Sequence, residues 1–317
     1  MIPNTFKTFF DNLSVCYKSF LYKLIVLVII IALACAIFLP NLLPVFNDLK
    51  ELGVIDIAKE TLEKLSSFAL SRDEIVADLQ NINELMQTVL SYHWSSLVNS
   101  YIGFAFLIIL EYFLTRISDI AVGSLLFGSM QYRAKFSFLS EFLSKIVQSL
   151  KYTLLYMAIF VPVDAVIIVL SLFLLFGIGG SFVYVAPMVA MLAFMALFAL
   201  RLTLCVAWMP ALIVENNGAV NALKKNFAIV KQRFFKTYGE CLLGLALMIT
   251  LLLSMTVCTM GVATLFVLTA IPVIFACYKY VLYFEIQGIG YYADSRTVIT
   301  PNTMDKKELH FRYDLHE

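Results

Sequence analysis

The feature that most constrains this chain is a series of apolar blocks, almost free of charge and each near or above the roughly 20 residues that a helix needs to cross a bilayer. A water-soluble fold spreads its apolar residues over amphipathic elements, whereas here they are contiguous. The hydrocarbon of a bilayer offers the backbone no hydrogen-bond partners, so such blocks cross it as helices. Composition agrees: 61% of the 317 residues are hydrophobic and 14% charged, and the mean hydropathy is +0.88. Soluble domains run nearer 45–50% apolar and about 25% charged. A net charge of +1 excludes nucleic-acid binding through bulk positive charge.

Six spans are predicted, at 24–46, 97–114, 152–176, 183–208 and two within 241–284, the last block being divided near 258–261 where Thr and Gly permit a reversal. Basic residues orient them. Segments 1–23, 115–151, 210–240 and the stretch after 285 hold seventeen of the 23 Lys and Arg. The loop 46–95 has four Lys/Arg against nine Asp/Glu. The expected fold is therefore an all-α, polytopic six-transmembrane-helix bundle in the cell membrane with both termini cytoplasmic. Its parts are a cytoplasmic segment 1–23, helix 24–46, an extracytoplasmic helical hairpin 47–95, a five-helix membrane region 96–292 and a cytoplasmic tail 293–317. The first 23 residues are too long and polar for a signal-peptide start, so the first helix reads as a retained anchor.

In the outer loop, Leu49, Leu52, Ile55, Leu62, Leu65 and Phe68 recur at helical spacing, and Ile75, Leu79, Ile82, Leu85 and Val89 form a second set. Ser71 and Glu74 match a capping box between them. These stripes pack on each other, lie on the outer membrane surface, or meet a membrane-protein partner. Tyr92 and Trp94 mark the interface.

Two inner segments are predicted as basic amphipathic helices. Segment 136–151 places Phe138, Phe142, Ile146 and Leu150 on one face, with Lys145 and Lys151 elsewhere. Segment 219–235 aligns Val220, Leu223, Phe227, Val230 and Phe234, with Lys224, Lys225, Lys231 and Arg233 around the remainder. Helices of this kind lie in the interface and attract anionic headgroups, so these lysines and the arginine are candidate lipid contacts. They equally serve as anchors that set orientation. Their likeness suggests a parallel repeat of helix, basic helix, helix.

Glu111, Asp164 and Arg201 fall inside predicted spans. Intramembrane charges cost roughly 2.5–3.5 kcal/mol each on insertion scales, so they face the interior and find partners. At a rise of about 1.5 Å per residue, Asp164 lies near mid-depth, with Glu111 and Arg201 closer to the inner boundary. Arg201 is placed to pair with either carboxylate. The trio is a candidate ligand or ion path, or else a salt bridge that fixes packing. Pro162, two residues before Asp164, frees a backbone carbonyl there.

Catalytic signatures are missing from the sequence. It holds no P-loop, dinucleotide fingerprint, HExxH or GxSxG. Its three histidines, His93, His310 and His316, lie in the outer loop and the tail, and no cysteine pair has CxxC spacing. No metal, cofactor, catalytic residue or structural disulfide is expected.

One local pattern carries a resemblance. Pro210 leaves a span, Val214-Glu215 follows, Asn217-Gly218 supplies turn residues tolerant of positive φ, and Ala222 opens a basic helix reaching Lys231. This stretch resembles one found in bacterial polytopic membrane proteins, among them the membrane domain attached to some glycerophosphodiester phosphodiesterases and uncharacterised six-helix inner-membrane proteins. The resemblance implies a cell-membrane location and an all-helical fold, but no settled activity, because the phosphodiesterase part has no counterpart here. Glu215 is expected to accept hydrogen bonds from the new helix or to pair with Lys224 or Arg116.

The leading functional expectation is a non-enzymatic transport or membrane-organising component linked to lipid or envelope handling. Its expected partners are membrane lipids and a membrane protein or second copy, with no nucleic acid. An accessory subunit binding another membrane protein through the outer hairpin, and an intramembrane lipid-modifying enzyme, are the alternatives.

Overall fold

A computed structural model describes residues 1–66, 72–179, 185–262 and 264–294. Among them all regular structure is helical, and six helices are long and apolar enough to cross a membrane. The protein is an all-α, multi-pass membrane protein. The helices are α1 (Ile2–Asp11), α2 (Leu13–Glu51), α3 (Val54–Ser66), α4 (Arg72–Tyr92), α5 (Trp94–Tyr132), α6 (Phe138–Ser144), α7 (Ile146–Gly179), α8 (Ala186–Leu204), α9 (Trp208–Val214), α10 (Ala219–Cys258) and α11 (Thr264–Gln287). They form two compact units, one of residues 24–114 and a larger one of 1–23 with 115 onward.

Several helices outrun the hydrophobic blocks that announced them. At 39 residues each, α2 and α5 are about 58 Å long, roughly twice a bilayer's hydrocarbon thickness. Hydropathy marks where lipid contact ends; the backbone ladder continues as long as its side chains find packing or water. The clearest case is α5. Residues 115–132, which the sequence places in a basic inner loop, continue this helix, and Ile120, Ala121, Leu126 and Met130 are completely buried. Arg116 and Asp119 are the charged residues of that stretch.

The smaller unit contains the hairpin of α3 and α4. Gly53, at φ 73°, turns α2 into α3, a conformation that suits glycine. Helices α3 and α4 pack against each other, with Val54 and Val89 buried. Thr61 Oγ1 donates to Asp78 Oδ2 at 3.1 Å, and His93 Nε2 lies 2.7 Å from Asp48 Oδ2. The capping pair Ser71–Glu74 and the side chains of Leu62, Leu65, Phe68, Ile75 and Leu79 lie outside the described residues, as do most of the turn near 181 and the tail beyond 294.

In the larger unit, α7, α8 and α10 pack together while α11 contacts α1, α9 and α10. Most of the apolar window of α11 is buried, whereas hardly any of that of α2 is. Outward faces remain strongly apolar, as at Val169, Phe173 and Leu192, the kind of surface that lipid covers. The six cysteines are unbridged.

The helix predicted over 183–208 ends at Leu204, and residues 205–207 form a break before α9. Pro210 lies inside α9 and does not mark a helix exit. Cys205, Val206 and Trp208 donate their N–H groups three residues back, at 3.3, 3.3 and 3.4 Å. Asn226 of α10, fully buried, splints this break. Its Oδ1 accepts from Ala207 N–H at 2.9 Å and its Nδ2 donates to the Leu204 carbonyl at 2.6 Å. A buried amide whose groups are paired in this way specifies one arrangement.

That contact also sets the face of α10. The side chains that bury are Ala222, Asn226, Ile229 and Val230, while the expected anchors Val220 and Phe227 are 55% and 50% exposed. The packed face keeps Val230 of the expected apolar stripe but turns towards Asn226, with Leu223 and Phe234 half-buried and Val220 and Phe227 left outside. In the other basic segment, Lys145 interrupts the expected single helix as the C-cap of α6. Phe138 and Phe142 keep their apolar face, both lying against Tyr22 with ring centroids 5.8 and 5.5 Å away.

Candidate functional site

The packing of α7 on α8 brings Asp164 and Arg201 together. Arg201 Nη2 donates to Asp164 Oδ2 at 2.8 Å, and its Nε lies 2.6 Å from Oδ1, a close ion pair that clamps the two helices. The guanidinium is enclosed by aromatic rings, with its carbon 5.5 Å from the centroid of Tyr156, 5.2 Å from Phe160 and 5.1 Å from Phe198. The Arg201 side chain is 3% exposed and that of Asp164 is 24%. Cation–π contacts reach about 2 kcal/mol when desolvated, and they leave the charge available to its carboxylate. Glu111 belongs to the smaller unit, where its side chain is exposed. The clamp is therefore described by two of the three expected residues.

A cavity of about 180 Å³ reaches Arg201 within the larger unit. Its polar wall consists of Ser19 and Lys23 of α2, Arg116 and Asp119 of α5, Arg201 of α8, and Lys279 of α11. Four basic side chains thus face one carboxylate. Arg116 Nη1 donates to Asp119 Oδ2 at 2.9 Å, and its guanidinium carbon lies 4.7 Å from the Tyr156 centroid. Arg116 and Arg201 therefore share one aromatic ring, each held in place by its own aspartate. The remaining wall is apolar, with Phe198, Leu245 and Phe275 among its members. A larger recess, of about 460 Å³, lies beside the start of α2, but its lining mixes Lys18, Arg133 and Lys135 with Asp11 and Asp294.

The turn after α9 has a different role. Glu215 accepts hydrogen bonds from Lys225, Tyr283 and Asn217, the last at 2.7 Å. Lys225, and neither Lys224 nor Arg116, is its ionic partner. Burial pushes the Glu215 carboxyl up, but these donors outweigh it and hold the group below its ordinary value. The left-handed residue of the turn is Asn216, at φ 50°, while Gly218 has φ −64° and caps α10. Asparagine tolerates that conformation through its short polar side chain.

Among the expected lipid contacts, Lys151, Lys224, Lys231 and Arg233 are exposed. Lys145 is instead held internally, donating to Ser124 Oγ at 2.8 Å and lying 3.4 Å from Glu141 Oε2. Arg233, at φ −136°, marks a kink within α10.

Sequence reasoning missed the cationic cavity. In the sequence Arg116 belongs to the segment 115–151 and Lys23 to the N-terminal segment 1–23. Lys279 went unremarked, although a lysine inside the last apolar block is itself a signal. Among the described residues no group of three or more His, Cys, Asp or Glu is placed to hold a metal ion. Comparison with protein families, curated proteins and solved structures gave no match.

Proposed function

We propose that this multi-pass protein is a non-enzymatic transport or membrane-organising component of a bacterial cell membrane, with cytoplasmic termini, handling lipid or envelope material. One observation carries the reading: a cavity walled by Lys23, Arg116, Arg201 and Lys279 opens beside apolar side chains inside the larger helical unit. A protein that merely anchors itself has no need to gather four cations around an open space in apolar surroundings, where each is expensive. Internal packing alone is served by the Arg201–Asp164 clamp. The self-packed outer hairpin gives less support to an accessory subunit that docks through α3 and α4.

The reading is tested by gentle extraction followed by native mass spectrometry. A ligand-handling component retains a bound lipid at defined stoichiometry, and protein that emerges bare after mild extraction contradicts the reading. Topology is checked in a cysteine-free background with Thr88→Cys and Lys236→Cys. Impermeant reagent added to intact cells should label the first position and spare the second.

A further inference from the structure

We infer that the cavity formed by α2, α5, α8, α9, α10 and α11 of the larger unit binds a phosphate group, carried as the headgroup of a lipid whose chain lies along the apolar wall. The inference rests on the ligand-handling reading above and names the ligand class of that site.

Charge argues first. Asp119 is the one acid in a lining that holds two arginines and two lysines. Asp164 neutralises Arg201 from outside that lining. Lys279 makes no ion pair among the described residues and projects from α11, whose apolar window is mostly buried. A lining in which basic groups outnumber acidic ones, between low-dielectric walls, favours the opposite charge in the enclosed space. A phosphate supplies negative charge to Lys279, and its several acceptor oxygens match a fork of guanidinium and ammonium donors.

Preorganisation argues second. Arg116 and Arg201 are each oriented by a carboxylate and by the Tyr156 ring. They need little reordering to meet an anion, so less entropy is lost on binding. The Ser19 hydroxyl, on a residue 2% exposed, adds a buried donor to the same wall.

Shape argues third, and favours the lipid over the free anion. At about 180 Å³ the cavity is smaller than the roughly 300–1,000 Å³ of pockets for drug-sized ligands. It fits a compact headgroup. Phe198, Leu245 and Phe275 give the same cavity hydrocarbon surface beside its charged groups, which a hydrated free ion would leave unused.

The test uses the full chain in detergent micelles. Binding of phosphatidic acid and of phosphatidylcholine is titrated by native mass spectrometry, and radiolabelled inorganic phosphate is titrated in parallel. The variants are Lys279→Gln, Lys279→Arg and the exposed control Lys231→Gln. Phosphatidic acid should bind more tightly than phosphatidylcholine. K279Q should weaken it about fivefold, the worth of one near-surface cationic contact, while K279R and K231Q retain it. Lys279-dependent binding of phosphatidic acid without inorganic phosphate assigns the lipid. The same dependence for inorganic phosphate alone upholds phosphate recognition but overturns the lipid as its source. Equal binding by wild type and K279Q overturns the assignment, with K279R distinguishing lost charge from lost fold. Lipid bound without regard to Lys279 overturns the phosphate site alone, whereas protein that binds no lipid at all removes the functional reading beneath it.

Discussion

At the scale of single residues, the Asp164–Arg201 clamp is the interaction whose loss is most costly. Removing one member of a buried pair strands the other charge, at about 3–5 kcal/mol. Arg201→Met should therefore lower the midpoint of unfolding in detergent sharply, and Asp164→Leu added to it should recover much of the loss. A double variant no more stable than the single one would show that the clamp is not what holds α7 to α8. Glu215 gives a pH-dependent expectation. Its folded pKa lies below its ordinary value of 4.5, so the native state binds fewer protons and stability rises with pH through that window. The contribution is fully present above about 4.5 and fades as pH falls through the depressed folded value. Wild type should accordingly exceed Glu215→Gln in thermal midpoint at neutral pH, with the difference closing in acid. A difference that persists unchanged at low pH would contradict this.

At the scale of elements, the break at residues 205–207 depends on Asn226. Asn226→Leu leaves the buried Ala207 N–H and the part-buried Leu204 carbonyl without their partner, and a buried polar group so orphaned costs about 1–3 kcal/mol. Reduced thermal stability, with Trp208 fluorescence changing because that ring stacks on Tyr156 beside the break, is the expected outcome. An unshifted midpoint would mean that the break needs no splint. This region also shows where the sequence stopped being legible. The six spans could be read, because lipid imposes a long uncharged stretch that no tertiary contact can hide. Boundaries could not, since α2, α5 and α10 continue past the hydrocarbon wherever side chains find packing. Nor could the face of α10 be read. Periodicity selects Val220, Leu223, Phe227, Val230 and Phe234 alike, of which Val230 alone is buried; in a membrane the lipid-facing side is also apolar, so the pattern does not say which members pack. A buried Asn that pairs with the backbone of a helix break nineteen residues away in sequence has no local signature.

At the scale of the whole molecule, near-neutral net charge conceals an arrangement. The loop 46–95 is acidic, the segments 1–23, 115–151 and 210–240 are basic, and four cations from separate helices line one cavity. Asp164 and Arg201 were identifiable in advance as rare charges in apolar blocks. Arg116 and Lys23 were not identifiable as their neighbours, because one at a time they look like ordinary loop charges, and Lys279, itself a rare charge in an apolar block, comes from a distant stretch of chain. The central claim is that this cavity holds a phosphate-bearing lipid in the native membrane. Its most direct test replaces Phe275, on the cavity wall, with a photo-crosslinking phenylalanine analogue, irradiates intact cells, and identifies the adduct by mass spectrometry. The account predicts a crosslink to a lipid with an anionic phosphate headgroup, diminished by Lys279→Gln. Illumination that yields no lipid adduct, or one indifferent to Lys279, would contradict it.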